Sequence, residues 1–149
     1  MKADLSRENY RFFQEILGIL KWGCIFMKTW RKMGFFCMGG GAYVLLELLW
    51  RGRSHVSMFG AGGACFLLLG RLDREPLPLP ARAAVGAGVI TAVELGTGLL
   101  VNRDHRIWDY RGVPGNVAGQ ICPLFTALWV PVSLTGMGLY RWLDRKTQA

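Results

Sequence analysis

The sequence predicts an all-α membrane protein with four transmembrane helices, arranged as two tandem hairpins and preceded by an amphipathic interfacial helix. Hydrophobic residues make up 52% of the 149-residue chain, and the charged residues are unevenly placed. Residues 56–70 and 112–140 contain no Lys, Arg, Asp or Glu. Long apolar segments separated by charged connections are typical of membrane spans and not of a water-soluble core. The 20 glycines, concentrated in those segments, would let neighbouring helices approach closely.

Residues 1–33 predict a basic amphipathic helix. Its apolar residues recur at helical spacing, at Phe13, Ile16, Leu17, Leu20, Cys24 and Met27. Lys21, Lys28 and Lys32 lie on another face, so the helix either rests on the anionic membrane surface or packs on the bundle with its charges solvated. No cleavable signal peptide is predicted in this segment. The formal net charge of +8 needs no nucleic-acid partner, because much of the excess positive charge precedes the first span.

The four predicted spans cover residues 34–50, 56–70, 82–101 and 117–140 of a membrane domain that extends from residue 34 to residue 149. The first span would reach about 26 Å at about 1.5 Å per residue, less than the hydrocarbon core of about 30 Å. Either the turn at residues 51–55 dips below the headgroups or the membrane is thinned locally. Pro123 and Pro131 predict kinks in the last span.

The distribution of basic residues predicts the orientation of these spans. Thirteen of the 18 Lys and Arg residues lie on the side of the two termini, and five lie on the other side. Basic residues are enriched in cytoplasmic segments, so both termini are expected inside the cell. We therefore expect a multi-pass membrane protein with both termini in the cytoplasm.

Two of the predicted spans carry one glutamate each, Glu47 and Glu94, within segments that look like copies of one another. Residues 42–49 and 89–96 both place an apolar run before the glutamate and further apolar residues after it. This repeat predicts the two tandem hairpins, related by an axis along the membrane normal. A carboxylate in an apolar span is costly unless it is paired, protonated or faces a polar cavity. The two glutamates therefore predict an intramembrane polar cavity.

Glu47 and Glu94 differ in the partners that their own helices offer. Arg51 follows Glu47 by four residues, which is the favourable order for an ion pair within a helix. Either that pair is structural, or Arg51 binds an anionic headgroup or substrate and leaves Glu47 as an acid–base group. Glu94 has no Lys or Arg within one helical turn, so it must be protonated, find a partner on another helix or face water. A desolvated carboxyl of this kind suits proton exchange.

Polar residues collect at one predicted membrane edge, in the turn at 51–55 and in the loop that follows the third span. The candidate acid–base residues are Glu47, Glu94, His55 and Asp109, and the candidate ligand-binding residues are Arg51, Arg53, Ser54, Asn102, Trp108, Tyr110, Asn116 and Gln120. Arginines beside a histidine suit a phosphate group. The structural alternatives are an interfacial aromatic belt and, for Asn116 and Gln120, amides that share one face at the start of the last span and join helices.

No metal site and no cofactor are predicted. The four cysteines show no CxxC spacing, and the chain has only two histidines. The sequence contains no GxxxxGK[ST] loop, so it gives no indication of ATP hydrolysis by this chain. It also contains neither a GxSxG elbow nor an HExxH motif.

Two sequence blocks carry a resemblance to a known family. They are GAYVLLELLWRGRSH at residues 41–55 and WDYRGVPGNVAGQIC at residues 108–122, and they resemble the ABC-transporter type IV (CmpB-like) family of small bacterial membrane proteins. The resemblance runs from about residue 39 to the last span. It implies a membrane protein of a transporter-type family, located in the bacterial inner (cytoplasmic) membrane. Family members usually carry Ser after Trp-Asp-Tyr, where this chain has Arg111. The matching motif residues coincide with the polar candidates named above.

Three functions fit these observations. The first is a permease-like transporter whose polar cavity, built on the two glutamates, binds a small or amphiphilic anionic ligand. Four short spans are few for a transport path, so this function implies a homodimer or a partner subunit within membrane lipid. The second is an integral-membrane enzyme that acts on a lipid or lipid-linked headgroup by carboxylate and histidine acid–base chemistry. The third is a non-catalytic membrane accessory or assembly protein.

Overall fold

The computed structural model describes residues 29–148, which form four helices. These are α1 (Thr29–Arg51), α2 (Val56–Leu72), α3 (Leu79–Val101) and α4 (Pro123–Gln148). Three of them, α1, α3 and α4, are long and apolar enough to cross a membrane, whereas α2 is apolar but has only 17 residues. The all-helical class predicted from the sequence is confirmed. Most of the predicted amphipathic N-terminal helix falls on residues 1–28 and lies outside the described residues.

The first three helices begin and end within a few residues of the predicted bounds, but the last helix does not. It begins at Pro123 instead of residue 117, and proline suits a first helical position because it has no N–H to donate. Ala118 and Gly119 have positive φ values of 52° and 64°, which are incompatible with a helix. The prediction that Asn116 and Gln120 share one helical face is therefore wrong, because both residues lie in the loop before α4.

The shortest helix, α2, is the centre of the bundle. It packs against α1, α3 and α4, while α3 also packs against α4. More than half of its 17 residues are buried, among them Gly62, Gly63 and Phe66. Near its C-terminal end, the rings of Phe35 on α1 and Tyr140 on α4 approach to 4.7 Å between centroids. Because protein surrounds α2, the longer helices provide most of the outer surface.

That outer surface is apolar along the helices. On α1 the exposed large side chains include Met38, Leu45, Leu49 and Trp50, the last two being 78% and 76% exposed. Apolar surface of this extent is unfavourable in water and favourable in a hydrocarbon environment. The helices α3 and α4 expose apolar side chains in the same way.

Ion pairs join the helices at the end of the bundle where α1 and α3 begin and α2 and α4 end; we call these residues the ionic cluster. Its members are Arg31, Asp73, Arg74, Arg82, Arg141 and Asp144. Asp73 accepts hydrogen bonds from Arg141 on α4 and lies 3.5 Å from Arg82 on α3. Asp144 on α4 lies 2.9 Å from Arg74 and 3.5 Å from Arg31 on α1. The cluster therefore connects α1, α3, α4 and the turn after α2.

Asp73→Asn is expected to lower the free energy of unfolding at neutral pH by about 1–2 kcal/mol, since it removes a charged hydrogen-bond acceptor. Hydrogen bonds from Arg141, aided by the charges of Arg82 and Arg74, hold the pKa of Asp73 below its ordinary value. A lowered pKa stabilises the folded state above the unfolded pKa of about 3.9, and this stability is lost as pH falls through the folded pKa. The difference between wild type and variant should therefore shrink in acid.

Unfolding titrations in detergent at several pH values between neutral and acid would measure this difference. Asp104→Asn is the matched control, because the side chain of Asp104 is 55% exposed in its pair with Arg106. An exposed pair contributes little, so the control should change stability by less than about 1 kcal/mol. A difference between wild type and Asp73→Asn that stays constant down to acid pH would contradict the prediction.

Candidate functional site

The loop at residues 102–122 lies at the opposite end of the bundle, which we call the loop end. It meets the turn between α1 and α2, because the Nη1 atom of Arg51 donates a hydrogen bond of 3.0 Å to the carbonyl of Ile107. The Trp108 ring, 5% exposed, packs with Met58 and Ala61 of α2. Two connections that are distant in sequence therefore form one layer over the helix ends.

Two buried amides, Asn102 and Gln120, hold the loop in place. Asn102 donates to the carbonyl of Trp108 at 2.7 Å and to Gln120 Oε1 at 3.0 Å, and its Oδ1 accepts from the N–H of Ile107 at 2.8 Å. Gln120 donates to the carbonyl of Asn102, and the indole of Trp108 donates to the carbonyl of Gln120, both at 2.9 Å. The exposed fractions of Asn102 and Gln120 are 0% and 2%. These hydrogen bonds all lie within the protein and together hold the loop in place. We call Asn102, Trp108 and Gln120 the clamp of the loop.

Asn116 and Asp109 make local contacts in the same loop. Asn116 donates to the carbonyl of Val113 at 2.8 Å and accepts from the N–H of Gly119 at 2.9 Å, which stabilises a tight turn. The Asp109 carboxylate pairs with Arg111 at 2.7 Å, and these hydrogen bonds lower the pKa of Asp109 to about 2. Asp109 is therefore ionised at neutral pH, and its side chain is held by Arg111, two residues away in the same loop.

Glu47 forms the ion pair that its spacing from Arg51 predicts. One carboxylate oxygen accepts from Arg51 Nη2, and the other accepts from the hydroxyl of Ser54 at 2.6 Å. The Glu47 side chain is 11% exposed and that of Arg51 is 24% exposed. Through its other nitrogen Arg51 also holds Ile107, so this pair links the end of α1 to the loop.

Glu94 is buried and is held by neutral donors instead. Its exposed fraction is 6%; the Tyr110 hydroxyl donates to Oε1 at 3.2 Å, and the Trp129 indole donates to Oε2 at 3.0 Å. No ion pair of Glu94 occurs within residues 29–148. Tyr110 is one of the predicted site residues, whereas Trp129 is not. The sequence does contain a signal for Trp129: an indole N–H in an apolar span needs a hydrogen-bond acceptor, and Glu94 is the carboxylate within the apolar part of α3.

A cleft with a volume of about 360 Å³ lies at the loop end. It is lined by Arg51, Arg53, Ser54, His55, Val101, Asp104, Arg106 and Ile107. Four predicted candidates thus meet here, all from the segment that ends α1 and precedes α2. Neither glutamate belongs to the lining, although Glu47 is bonded to two of the lining residues. The rest of the lining comes from Val101, Asp104, Arg106 and Ile107, none of which is a predicted candidate.

His55 has a structural contact as well as a place in the cleft lining. It is the N-cap residue of α2, and its Nδ1 accepts a hydrogen bond of 3.2 Å from the N–H of Ser57. An N-cap acceptor satisfies one of the free N–H groups at a helix start. When Nδ1 accepts, the proton of the neutral ring is on Nε2, which leaves His55 with one donor.

Apolar helices with an apolar outer surface, and polar layers confined to the two ends, define a helical membrane protein. The chain belongs to the family described as "Putative ABC-transporter type IV", whose sequence model matches residues 33–146. The predicted family is therefore confirmed, and the match includes both glutamates, the cleft and the loop. No curated protein and no solved structure matches the chain significantly.

Proposed function

We propose that this protein is a permease-like membrane protein in which Glu47 and Glu94 form an intramembrane polar site for a small or amphiphilic anionic ligand. The observation that carries the proposal is the buried Glu94 carboxylate, which is bonded to Tyr110 and Trp129 and to no cation among the described residues. Ionisable groups buried in membrane spans commonly carry function. Membership of a transporter-type family supports the same function.

The partners of Glu94 suit proton exchange at one particular oxygen. A tyrosine hydroxyl can donate or accept a hydrogen bond, whereas an indole N–H can only donate. If Oε1 takes a proton, the Tyr110 hydroxyl can turn and accept from it, so the hydrogen bond is kept. Trp129 continues to donate to Oε2 in either state. Glu94 could therefore gain and lose a proton without losing its contacts to the loop and to α4.

The proposed architecture has four spans in two tandem hairpins, α1 with α2 and α3 with α4. In support, the first helix of each pair carries a glutamate, and each pair packs together. The charge distribution supports cytoplasmic termini in a bacterial inner membrane. The loop end would then face the outside, and a homodimer or partner subunit would complete a transport path.

The contacts support an enzyme less than a transporter. An enzyme acting on a headgroup needs its acid–base residues at the cleft, and the cleft lining includes neither Glu47 nor Glu94. His55 lines the cleft, but its Nδ1 already caps α2. A purely structural accessory role would require that the Glu94 carboxylate be replaceable by an amide.

Glu94→Gln is expected to reduce the occupancy of the co-purified ligand at least about tenfold, equivalent to about 1.4 kcal/mol, while the protein still folds. Glutamine has the same shape and can accept from Trp129, so packing is preserved. Native mass spectrometry of protein purified gently from membranes would measure the occupancy. Glu75→Gln, the same change beside the ionic cluster, is the control and should keep the ligand. Equal occupancy in wild type and Glu94→Gln would contradict the proposal and favour a structural role.

A further inference from the structure

The cleft at the loop end carries more positive than negative charge. Arg51, Arg53 and Arg106 line it, and Asp104 is the one carboxylate in its lining. Arg106 pairs with Asp104 at 2.9 Å, and Arg51 pairs with Glu47. Among residues 29–148, no hydrogen bond or ion pair engages the guanidinium of Arg53. Within this part of the chain, one full positive charge in the cleft is therefore uncompensated.

The lining also holds more hydrogen-bond donors than the protein uses. A guanidinium has five N–H donors in a rigid fork. Arg51 uses donors on Nη1 and Nη2 for Ile107 and Glu47, and Arg106 uses Nε for Asp104, so several donors of each remain. His55 adds one donor when it is neutral. A carboxylate satisfies a single fork, whereas a phosphate group offers more oxygens and up to two negative charges.

Exposed apolar side chains lie in the cleft lining and next to lining residues in the chain. Val101 belongs to its lining and is 45% exposed. The neighbouring residues Trp50, Val56 and Leu100 are also exposed. A cationic group beside exposed apolar surface at a membrane edge suits an amphiphile whose phosphate enters the cleft while its chain stays in the lipid.

We propose that this cleft binds a phosphate group, with the guanidinium of Arg53 as its main charge partner and with Arg51 and Arg106 as additional donors. The inference rests on the proposed function, because it gives the anionic ligand a chemical class. A lipid headgroup and a soluble phosphate ester share this chemistry, and the exposed apolar side chains favour the lipid. The N-terminal end of α2, which begins beside the cleft at Val56, adds a favourable dipole for an anion.

The test compares full-length wild type, Arg53→Gln and Arg103→Gln. Arg103 is an exposed arginine in the loop at residues 102–122 that does not line the cleft, so its variant loses the same charge at the same end of the bundle. One arm adds phosphatidic acid to protein in phosphatidylcholine nanodiscs and measures bound lipid by native mass spectrometry. The other arm adds inorganic phosphate or glycerol 3-phosphate at constant ionic strength and measures the midpoint of thermal unfolding.

Binding by wild type that falls at least about tenfold in Arg53→Gln and less than about twofold in Arg103→Gln supports the proposal. The measurement that shows this pattern identifies whether the bound phosphate group belongs to a lipid or to a soluble ester. Absence of binding in both arms, or equal weakening in both variants, overturns it. Measuring Glu94→Gln as well distinguishes a failure of the phosphate site from a failure of the proposed function. If that variant loses its co-purified ligand while Arg53→Gln binds phosphate like wild type, the phosphate site is wrong and the proposed function stands.

Discussion

Replacing Asn102 by alanine is expected to lower the free energy of unfolding by about 3–5 kcal/mol. The side chain is fully buried and bonds the N–H of Ile107, the carbonyl of Trp108 and the amide of Gln120. Alanine would leave all three groups without that partner, and each buried group that loses its partner costs about 1–3 kcal/mol. Partial relaxation of the loop keeps the expected loss below the full sum.

Unfolding of the detergent-solubilised protein, followed by tryptophan fluorescence, would measure this loss. Asn116→Ala is the matched control, because Asn116 is a half-buried asparagine in the same loop with local contacts only. It should cost about 1 kcal/mol. Similar losses in the two variants would contradict the view that Asn102 clamps the loop.

Gly62→Ala is expected to lower the free energy of unfolding by about 1–3 kcal/mol through overpacking between α1 and α2. A Cβ atom at this position would lie 2.7 Å from the carbonyl oxygen of Gly39 and would overlap Cβ of Tyr43. One of these neighbours is backbone, so the strain cannot be relieved by turning a side chain. The helices would have to separate, and α2 contacts every other helix of the bundle.

Gly60→Ala, two residues earlier on the same helix, is the control for that substitution. No atom lies within 4 Å of a Cβ built there, and alanine favours a helix by up to about 1 kcal/mol over glycine. The control should therefore be neutral or slightly stabilising in the same unfolding assay. If Gly62→Ala were as stable as Gly60→Ala, the close approach of α1 and α2 would be wrong.

The helices and the family could be predicted from the sequence because their signals are local. Apolar runs with few charges mark α1, α2 and α3, and the four-residue spacing of Glu47 and Arg51 predicts their ion pair. The loop at 102–122 could not be predicted in this way. Its clamp joins Asn102 to Gln120 across 18 positions, and the positive φ of Ala118 interrupts a segment whose apolar character resembles a helix.

The residues of the candidate site also divide into those with a local signal in the sequence and those without one. The residues of the 51–55 turn were found because they are adjacent in sequence and strongly polar. Trp129 was missed because it lies 35 positions from Glu94, and only the packing of α3 against α4 brings them together. The basic residues of the ionic cluster were read as topology signals, although Arg141 contacts Asp73 across 68 positions.

Dissolved salt affects the contacts at the two ends of this bundle differently. At one end is the ionic cluster, in which the half-exposed side chain of Arg141 pairs with Asp73, and salt weakens ion pairs of this kind. At the loop end the ion pair of Glu47 and Arg51 is accompanied by neutral hydrogen bonds among Asn102, Trp108 and Gln120, which are buried and insensitive to salt. Raised salt is therefore expected to weaken the ionic cluster more than the hydrogen bonds of the loop. In the proposed orientation the ionic cluster faces the cytoplasm, so the contacts most sensitive to salt lie on the intracellular side of the membrane.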